Sequence, residues 1–200
     1  MRVLVTGASG LVGSWVVREL AARGHAVRAL LRPRSSLANL EGLPLERAQG
    51  DVTELPSVGR ALQGCEAVVH TAGVMHFRSG DDARLYGVNH RSVGIVLGAA
   101  LRAGVRRAVL TSSVAAMGGS LEPAVMDETW PSNAEALGID YFVSKLRGER
   151  EALRLAGEGL PISVVRPSVV LGPGDIYDSS ASTFRALARR RLPVVVRGGA

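Results

Sequence analysis

The sequence predicts a doubly wound α/β fold, a parallel sheet between helical layers in a three-layer αβα arrangement, on three observations. Short apolar runs alternate with helix-length amphipathic stretches along the 200 residues. The runs are apolar throughout rather than alternating, as strands covered on both faces must be. A glycine-rich turn follows the first run directly and opens the first helix. Strands that alternate with helices imply parallel pairing through right-handed crossovers.

The expected strands are Arg2–Thr6, Ala26–Leu31, Leu45–Gln49, Ala67–His70, Arg107–Thr111, Ile162–Arg166 and Pro193–Val196, each a short apolar run of strand length. Between them the amphipathic stretches predict helices near Leu11–Arg23, Leu55–Leu62, Asp82–Ala103, Leu137–Ala156 and Ala181–Arg190. Gly24, Gly104 and Gly157 each fall just past a helix, where a left-handed cap is wanted. Abundant Ala, Val, Leu and Gly with few aromatics suit close-packed helices on a valine-rich sheet. No repeat or low-complexity linker divides the chain, and residues 1–178 read as one nucleotide-binding unit, with 179–200 starting a further region.

Composition sets bounds on function. Hydrophobic residues make up 46% and charged residues 21%, which excludes a disordered chain. No apolar stretch approaches the ~20 residues that span a bilayer. Met1 leads almost directly into strand-like residues, so no leader peptide is expected. Cys65 is the single cysteine, which excludes an internal disulfide framework and fits a reducing cytoplasm. The net charge of +6 comes from scattered arginines, the tightest runs being Arg106-Arg107 and Arg189-Arg190-Arg191. Without interleaved aromatics or a recognition motif, that charge predicts no nucleic-acid partner. His25, His70, His76 and His90 show no ligand spacing, and no metal site is expected.

The glycine-rich turn carries the first chemistry. In Val3-Leu4-Val5-Thr6-Gly7-Ala8-Ser9-Gly10-Leu11-Val12-Gly13, Gly7 allows the tight turn and Gly10 lets backbone approach a pyrophosphate. Gly13 lets helix and strand pack closely, and the helix start presents amide donors and a positive dipole end. Ser9, Leu11 and Val12 complete this phosphate cradle. The second strand ends in Leu31-Arg32-Pro33-Arg34-Ser35-Ser36, with no acidic residue for a ribose 2′-hydroxyl. An arginine there suits a 2′-phosphate through charge-assisted donors. NADP is therefore expected over NAD, with Arg32 as the contact and Ser35 or Ser36 assisting.

Of the 24 lysines and arginines, Lys145 alone is a lysine, and it lies four residues after Tyr141 in a Tyr-x-x-x-Lys frame. On a helix the two side chains share one face. A phenol titrates near pH ~10 and is a poor acid at neutrality, whereas a nearby ammonium would lower it toward the working range. Val109-Leu110-Thr111-Ser112-Ser113 brings hydroxyls to a strand's carboxyl edge, where open α/β sheets bind ligands. Either Ser113 or Ser112 can serve there.

With these residues the chain resembles the extended short-chain dehydrogenase/reductases, a Rossmann-fold family that includes NAD-dependent epimerases and dehydratases. Gly50-Asp51-Val52 resembles the family's adenine-side segment, and His70-Thr71-Ala72-Gly73 the loop after its fourth strand. Val88-Asn89 resembles the pair on its long helix, and Arg166-Pro167-Ser168-Val169-Val170-Leu171-Gly172-Pro173 the segment beside the nicotinamide. The resemblance implies Ser113, Tyr141 and Lys145 as the catalytic set, with Asn89 supporting a proton-relay water. It assigns Asp51, Val52, Thr71, Ala72, Gly73, Lys145, Pro167 and Val169 to the cofactor.

Residues Gly7–Trp15, Val27-Arg28-Ala29 and Tyr141–Lys145 look most like the dihydroflavonol reductase and hydroxysteroid dehydrogenase branch. Sugar-nucleotide enzymes of the family usually carry Tyr-Gly where this chain has Met117-Gly118. The implied activity is carbonyl–alcohol interconversion on a small molecule, the alternatives being a sugar-nucleotide epimerase or dehydratase and a non-catalytic dinucleotide-binding protein. Members are generally longer than this chain. A shortened substrate lobe would expose apolar surface and invite a partner or homodimer.

Overall fold

The structure, a computed structural model, describes residues 1–75 and 82–176 together with positions 186, 188 and 189. Strands β1 (Arg2–Thr6), β2 (Ala26–Leu31), β3 (Leu45–Gln49), β4 (Ala67–His70), β5 (Arg107–Thr111) and β6 (Ile162–Val165) are all parallel. They form one sheet in the order β3-β2-β1-β4-β5-β6. This is the doubly wound Rossmann order, in which the chain reverses direction across the sheet at β1. Arg166 lies just past the end of β6 rather than inside it. The expected strand Pro193–Val196, the bulk of the expected helix Ala181–Arg190 and of region 179–200, and His76 lie outside the described residues.

The helices are α1 (Leu11–Ala22), α2 (Leu55–Leu62), α3 (Asp82–Tyr86), α4 (Ser92–Arg102), α5 (Ala134–Leu137) and α6 (Asp140–Gly157). Two expected helices are interrupted. The stretch Asp82–Ala103 contains a π-helical turn over Gly87–Arg91 between α3 and α4. Such a turn inserts one residue per turn and re-aims the side chains around it, often at functional sites. The stretch expected to begin at Leu137 breaks at Gly138, whose φ of 65° ends α5. Helix α6 then starts afresh at Asp140, so Tyr141 stands in its first turn. Gly24 and Gly104 adopt the left-handed caps read from sequence, but the third cap falls at Gly159 rather than Gly157, because α6 runs through Gly157.

Period-two alternation splits the central strands between two cores. Leu4, Leu30, Val68, Ala108 and Leu110 face α2, α4 and α6, packing on Val58, Val96, Leu97 and Leu155. Val3, Val5, Val27, Ala29 and Leu31 face α1 and pack on Val17. The edge strands depart from the continuous apolar pattern. Ile162–Val165 alternates between half-buried and exposed residues, and Leu45–Gln49 keeps only Leu45 and Ala48 half-buried, since each strand has a neighbour on one side only among the described residues. On the α1 side a cleft of about 780 Å³ opens over β4, β5 and β6, lined by Val12, Trp15, Val69, Val109, Val165 and Leu171 among others. No helix among the described residues is long and apolar enough to cross a membrane.

The carboxyl ends of β1 and β4 are joined by a fully buried histidine. Thr6 Oγ1 lies 2.7 Å from His70 Nδ1, and Ser92 Oγ lies 3.1 Å from His70 Nε2. Ser92 spends its own proton on the Val88 carbonyl at 2.6 Å. Nε2 must therefore donate, and Nδ1 accepts from Thr6. Neither nitrogen can take a second proton without losing a partner. Burial, with the Lys145 charge assisting, holds His70 down to about 3 from its ordinary 6.5. An unfolded chain binds this proton below pH 6.5 and the folded chain does not, so folding stability falls on acidification across that window. His70→Gln is expected to remove a slope of about 1.4 kcal/mol per pH unit between pH 6.5 and 5, above the range where carboxylates titrate. Urea unfolding of both proteins checks this, and equal slopes would refute the assignment.

Candidate active site

The turn after β1 is held shut largely by close backbone contact. Gly7 takes a φ of 66°, and its carbonyl accepts from Gly10 N at 3.0 Å. A Cβ at Gly7 would lie 2.6 Å from Ala72 N, and one at Gly13 would lie 2.2 Å from Gly7 O. Both positions exclude any side chain, which joins the first turn of α1 to the ends of β1 and β4. A Cβ at Gly10 would lie 3.3 Å from Gly7 O, a tight contact that a side chain there would have to relieve. Ser9, Leu11 and Val12 follow the same backbone around the N-terminus of α1, where four amides lack helical partners. The chemistry of this donor set fits a pyrophosphate.

Across the turn, Thr71 Oγ1 donates to Thr6 O at 2.6 Å, fixing the loop Thr71–Ala72–Gly73. The loop after β6 is tied to the same corner. Trp15 Nε1 donates to Pro173 O at 3.1 Å, and Asn39 Nδ2 donates to Ser9 O at 3.1 Å and to Gly174 O at 2.8 Å. These two ties were not anticipated from sequence, because they join positions far apart in the chain. Within that loop, Pro167 O accepts from Val114 N at 3.1 Å, and Val169 is exposed.

A second groove, at the carboxyl ends of β2 and β3, is lined by Arg32, Arg34, Gly50, Asp51, Ser57 and Arg60 among others. Ser35 Oγ accepts from Arg32 N at 3.1 Å, and Ser36 Oγ accepts from Ala38 N at 3.4 Å. Each hydroxyl keeps its proton to donate outward. Asp51 Oδ1 accepts from Thr53 N at 2.9 Å and from Thr53 Oγ1 at 2.7 Å, an Asx turn that orders Val52. Arg60 joins the arginines here from α2 and was not singled out in the sequence.

The third cluster brings Ser113, Tyr141, Lys145 and Asn89 together from three parts of the chain. Ser113 starts a 3-10 turn, where its Oγ accepts from Ala115 N at 3.2 Å and its hydroxyl bonds to the Tyr141 phenol. Ser112 points elsewhere, buried with its Oγ unpartnered, so Ser113 of the two candidates engages the tyrosine. Burial pushes the phenol above its ordinary value, and the bond from Ser113 opposes that rise only in part. The expected lowering by ammonium is not seen: Lys145 acts on His70, while Nζ lies 3.1 Å from where a Cβ on Gly73 would stand.

Lys145 is 9% exposed, and burial brings it down to about 8 from 10.5, with the Glu149 carboxylate pulling the other way. Asn89, on the π-turn, uses its side chain as a clamp. Its Oδ1 accepts from Val74 N at 2.9 Å, and its Nδ2 donates to Val74 O at 2.8 Å and to Ser144 Oγ at 3.1 Å. It thereby joins the loop after β4 to α6. Among the described residues no group of His, Cys, Asp and Glu is arranged to hold a metal.

The NAD dependent epimerase/dehydratase family matches residues 3–199 of the chain. Sterol demethylase protein B of Methylococcus capsulatus is 39% identical over 99% of this chain and 60% of its own length. A putative dihydroflavonol 4-reductase of Synechocystis is 36% identical over 98% of this chain and 57% of its own. The chain thus spans about three fifths of the length of these relatives. A solved structure of MoeE5 in complex with UDP-glucuronic acid and NAD superposes with a TM-score of 0.80, at 31% identity, over 93% of this chain and 61% of that one. With the glycine turn, the sheet order and the Tyr141–Lys145 helix in place, the chain belongs to the NAD dependent epimerase/dehydratase family of extended short-chain dehydrogenase/reductases.

Proposed function

We propose that this chain supplies the cofactor-binding and catalytic half of an NADP-preferring oxidoreductase that interconverts a ketone or aldehyde with its alcohol. The observation that carries the reading is the convergence of Ser113, Tyr141 and Lys145 beside the glycine turn at the carboxyl edge of one sheet. Residues 7–13 would hold the pyrophosphate on the N-terminus of α1, and Asp51 with Val52 the adenine. Gly73, Pro167 and Val169 would border the nicotinamide, and Lys145 would donate to its ribose. When bound, the nicotinamide supplies or accepts a hydride.

The chain's own residues handle the proton. Ser113, whose Oγ accepts from the Ala115 amide, bonds to the Tyr141 phenol and orients it, and would turn that one proton to the reacting oxygen once substrate is bound. Tyr141 donates its phenolic proton to the carbonyl oxygen in reduction and takes it back in oxidation. A protonated phenol is the competent acid, and burial keeps it protonated at neutral pH. Asn89 keeps the loop at Val74 in register with α6, and so with the tyrosine.

NADP over NAD rests on Arg32 and Arg34 in the groove below β2, reinforced by Arg60. Three guanidinium groups favour a phosphate over a hydroxyl. A second reading, transient oxidation of a sugar nucleotide on retained NAD, draws support from the likeness to MoeE5 with its sugar nucleotide and NAD. NAD carried through purification would favour it.

Calorimetry of NADPH and NADH on wild type and Arg32→Asp tests the cofactor reading. Wild type is expected to prefer NADPH by about tenfold or more, and the variant to lose about 1–3 kcal/mol of that preference; equal wild-type affinities would sink it. Tyr141→Phe is expected to cut turnover at least about 100-fold with coenzyme affinity unchanged. A surviving rate would remove Tyr141 from the acid/base role.

A further inference from the structure

A charged pair, Glu149 with Arg166, lies beside the site. Glu149 is 3% exposed and lies one turn beyond Lys145 on α6. Its carboxylate is gripped by Arg166 in a fork: Nε reaches Oε1 at 3.0 Å and Oε2 at 3.1 Å, and Nη2 reaches Oε2 at 2.7 Å. Arg166 is also the first residue of the loop that carries Pro167 and Val169. The pair thus bolts the lysine-bearing helix to the nicotinamide side of the cleft.

Burying a carboxylate is costly, and a fold that only needed α6 packed here would place an apolar residue. Residues four apart on a helix are neighbours, so the Glu149 charge acts on Lys145 through a dry interior. We propose that Glu149, clamped by Arg166, is a positioning residue that keeps the Lys145 ammonium charged and seated against Gly73. The inference rests on the reading of Lys145 as the ribose and proton-handling cation.

Four other groups bear on that ammonium. His70 faces it from β4, bonded to Thr6 and Ser92, and is held neutral by burial and by the Lys145 charge itself. Tyr141 lies one turn earlier on α6 and Asn89 on the π-turn, both uncharged. Arg166 spends its charge on Glu149. Among these, Glu149 is the group that opposes the burial cost of Lys145.

Because Lys145 is the single lysine, ε-¹³C-lysine labelling gives one side-chain resonance, whose titration reads this group directly. The wild-type midpoint is expected near 8. Glu149→Gln should lower it by about one pH unit, Glu149→Asp should restore most of the loss, and Glu151→Gln, which removes a carboxylate paired with Arg154 beside Gly94, should leave it in place. Should Glu149→Gln fail to fold, the double variant Glu149→Met with Arg166→Met removes both charges and leaves neither stranded; the midpoint should again fall. An unmoved midpoint in the folded variant overturns the proposal. Coenzyme affinity followed from pH 6 to 9 separates the two readings. Affinity that weakens about one pH unit lower in Glu149→Gln supports both. A shifted midpoint with unshifted affinity keeps the Glu149–Lys145 coupling and refutes the ribose role of Lys145.

Discussion

Burying one ammonium at the carboxyl edge of the sheet is the constraint around which the site is arranged. Lys145 sits almost wholly out of water, which on its own favours the neutral amine. A charge in that place requires a counter-charge that is itself supported. Glu149 lies one helical turn away, and the fork of Arg166 satisfies its carboxylate. His70, on the sheet side, is kept neutral chiefly by burial and so adds no repulsion. The network extends through the ends of β1, β4 and β6, and every member is polar because a charged neighbour needs it to be.

The backbone supplies the other half of the design. At Gly7 and Gly13 three segments approach more closely than any Cβ allows, which packs the first turn of α1 against the ends of β1 and β4. The same contact sets Leu11 and Val12, at the start of α1, beside the cleft that Arg166, Pro167 and Pro173 also line. Trp15 and Asn39 hold the loop after β6 down. The glycine turn and the loops around it therefore share one scaffold, and a change at either glycine would disturb both.

How legible this was varied with the range of the interaction. The glycine turn, Tyr141 with Lys145, and the strands as far as Val165 were readable because each depends on residues close in sequence. Glu149 was invisible: a glutamate amid charged residues on an amphipathic helix reads as a solvated face until the packing buries it. The breaks at Gly138 and at Gly87–Arg91 were missed because apolar periodicity runs straight across both. The expected effect of Lys145 on the Tyr141 phenol failed for a related reason. Spacing places two side chains on one face but does not say where a flexible stem points its charge.

The sequence by itself determined the order of strands and helices along the chain, the glycine turn and the identity of the candidate acid and cation. These follow from local periodicity, glycine stereochemistry and residue type. The tertiary structure decided which of Ser112 and Ser113 meets the tyrosine, what Asn89 holds, why His70 stays neutral and how Lys145 is supported. Those depend on burial and on partners from 15 to 158 residues away in the chain, as with Val74 and Asn89 or Trp15 and Pro173. Desolvation sets their energies, and desolvation exists only once the layers have closed.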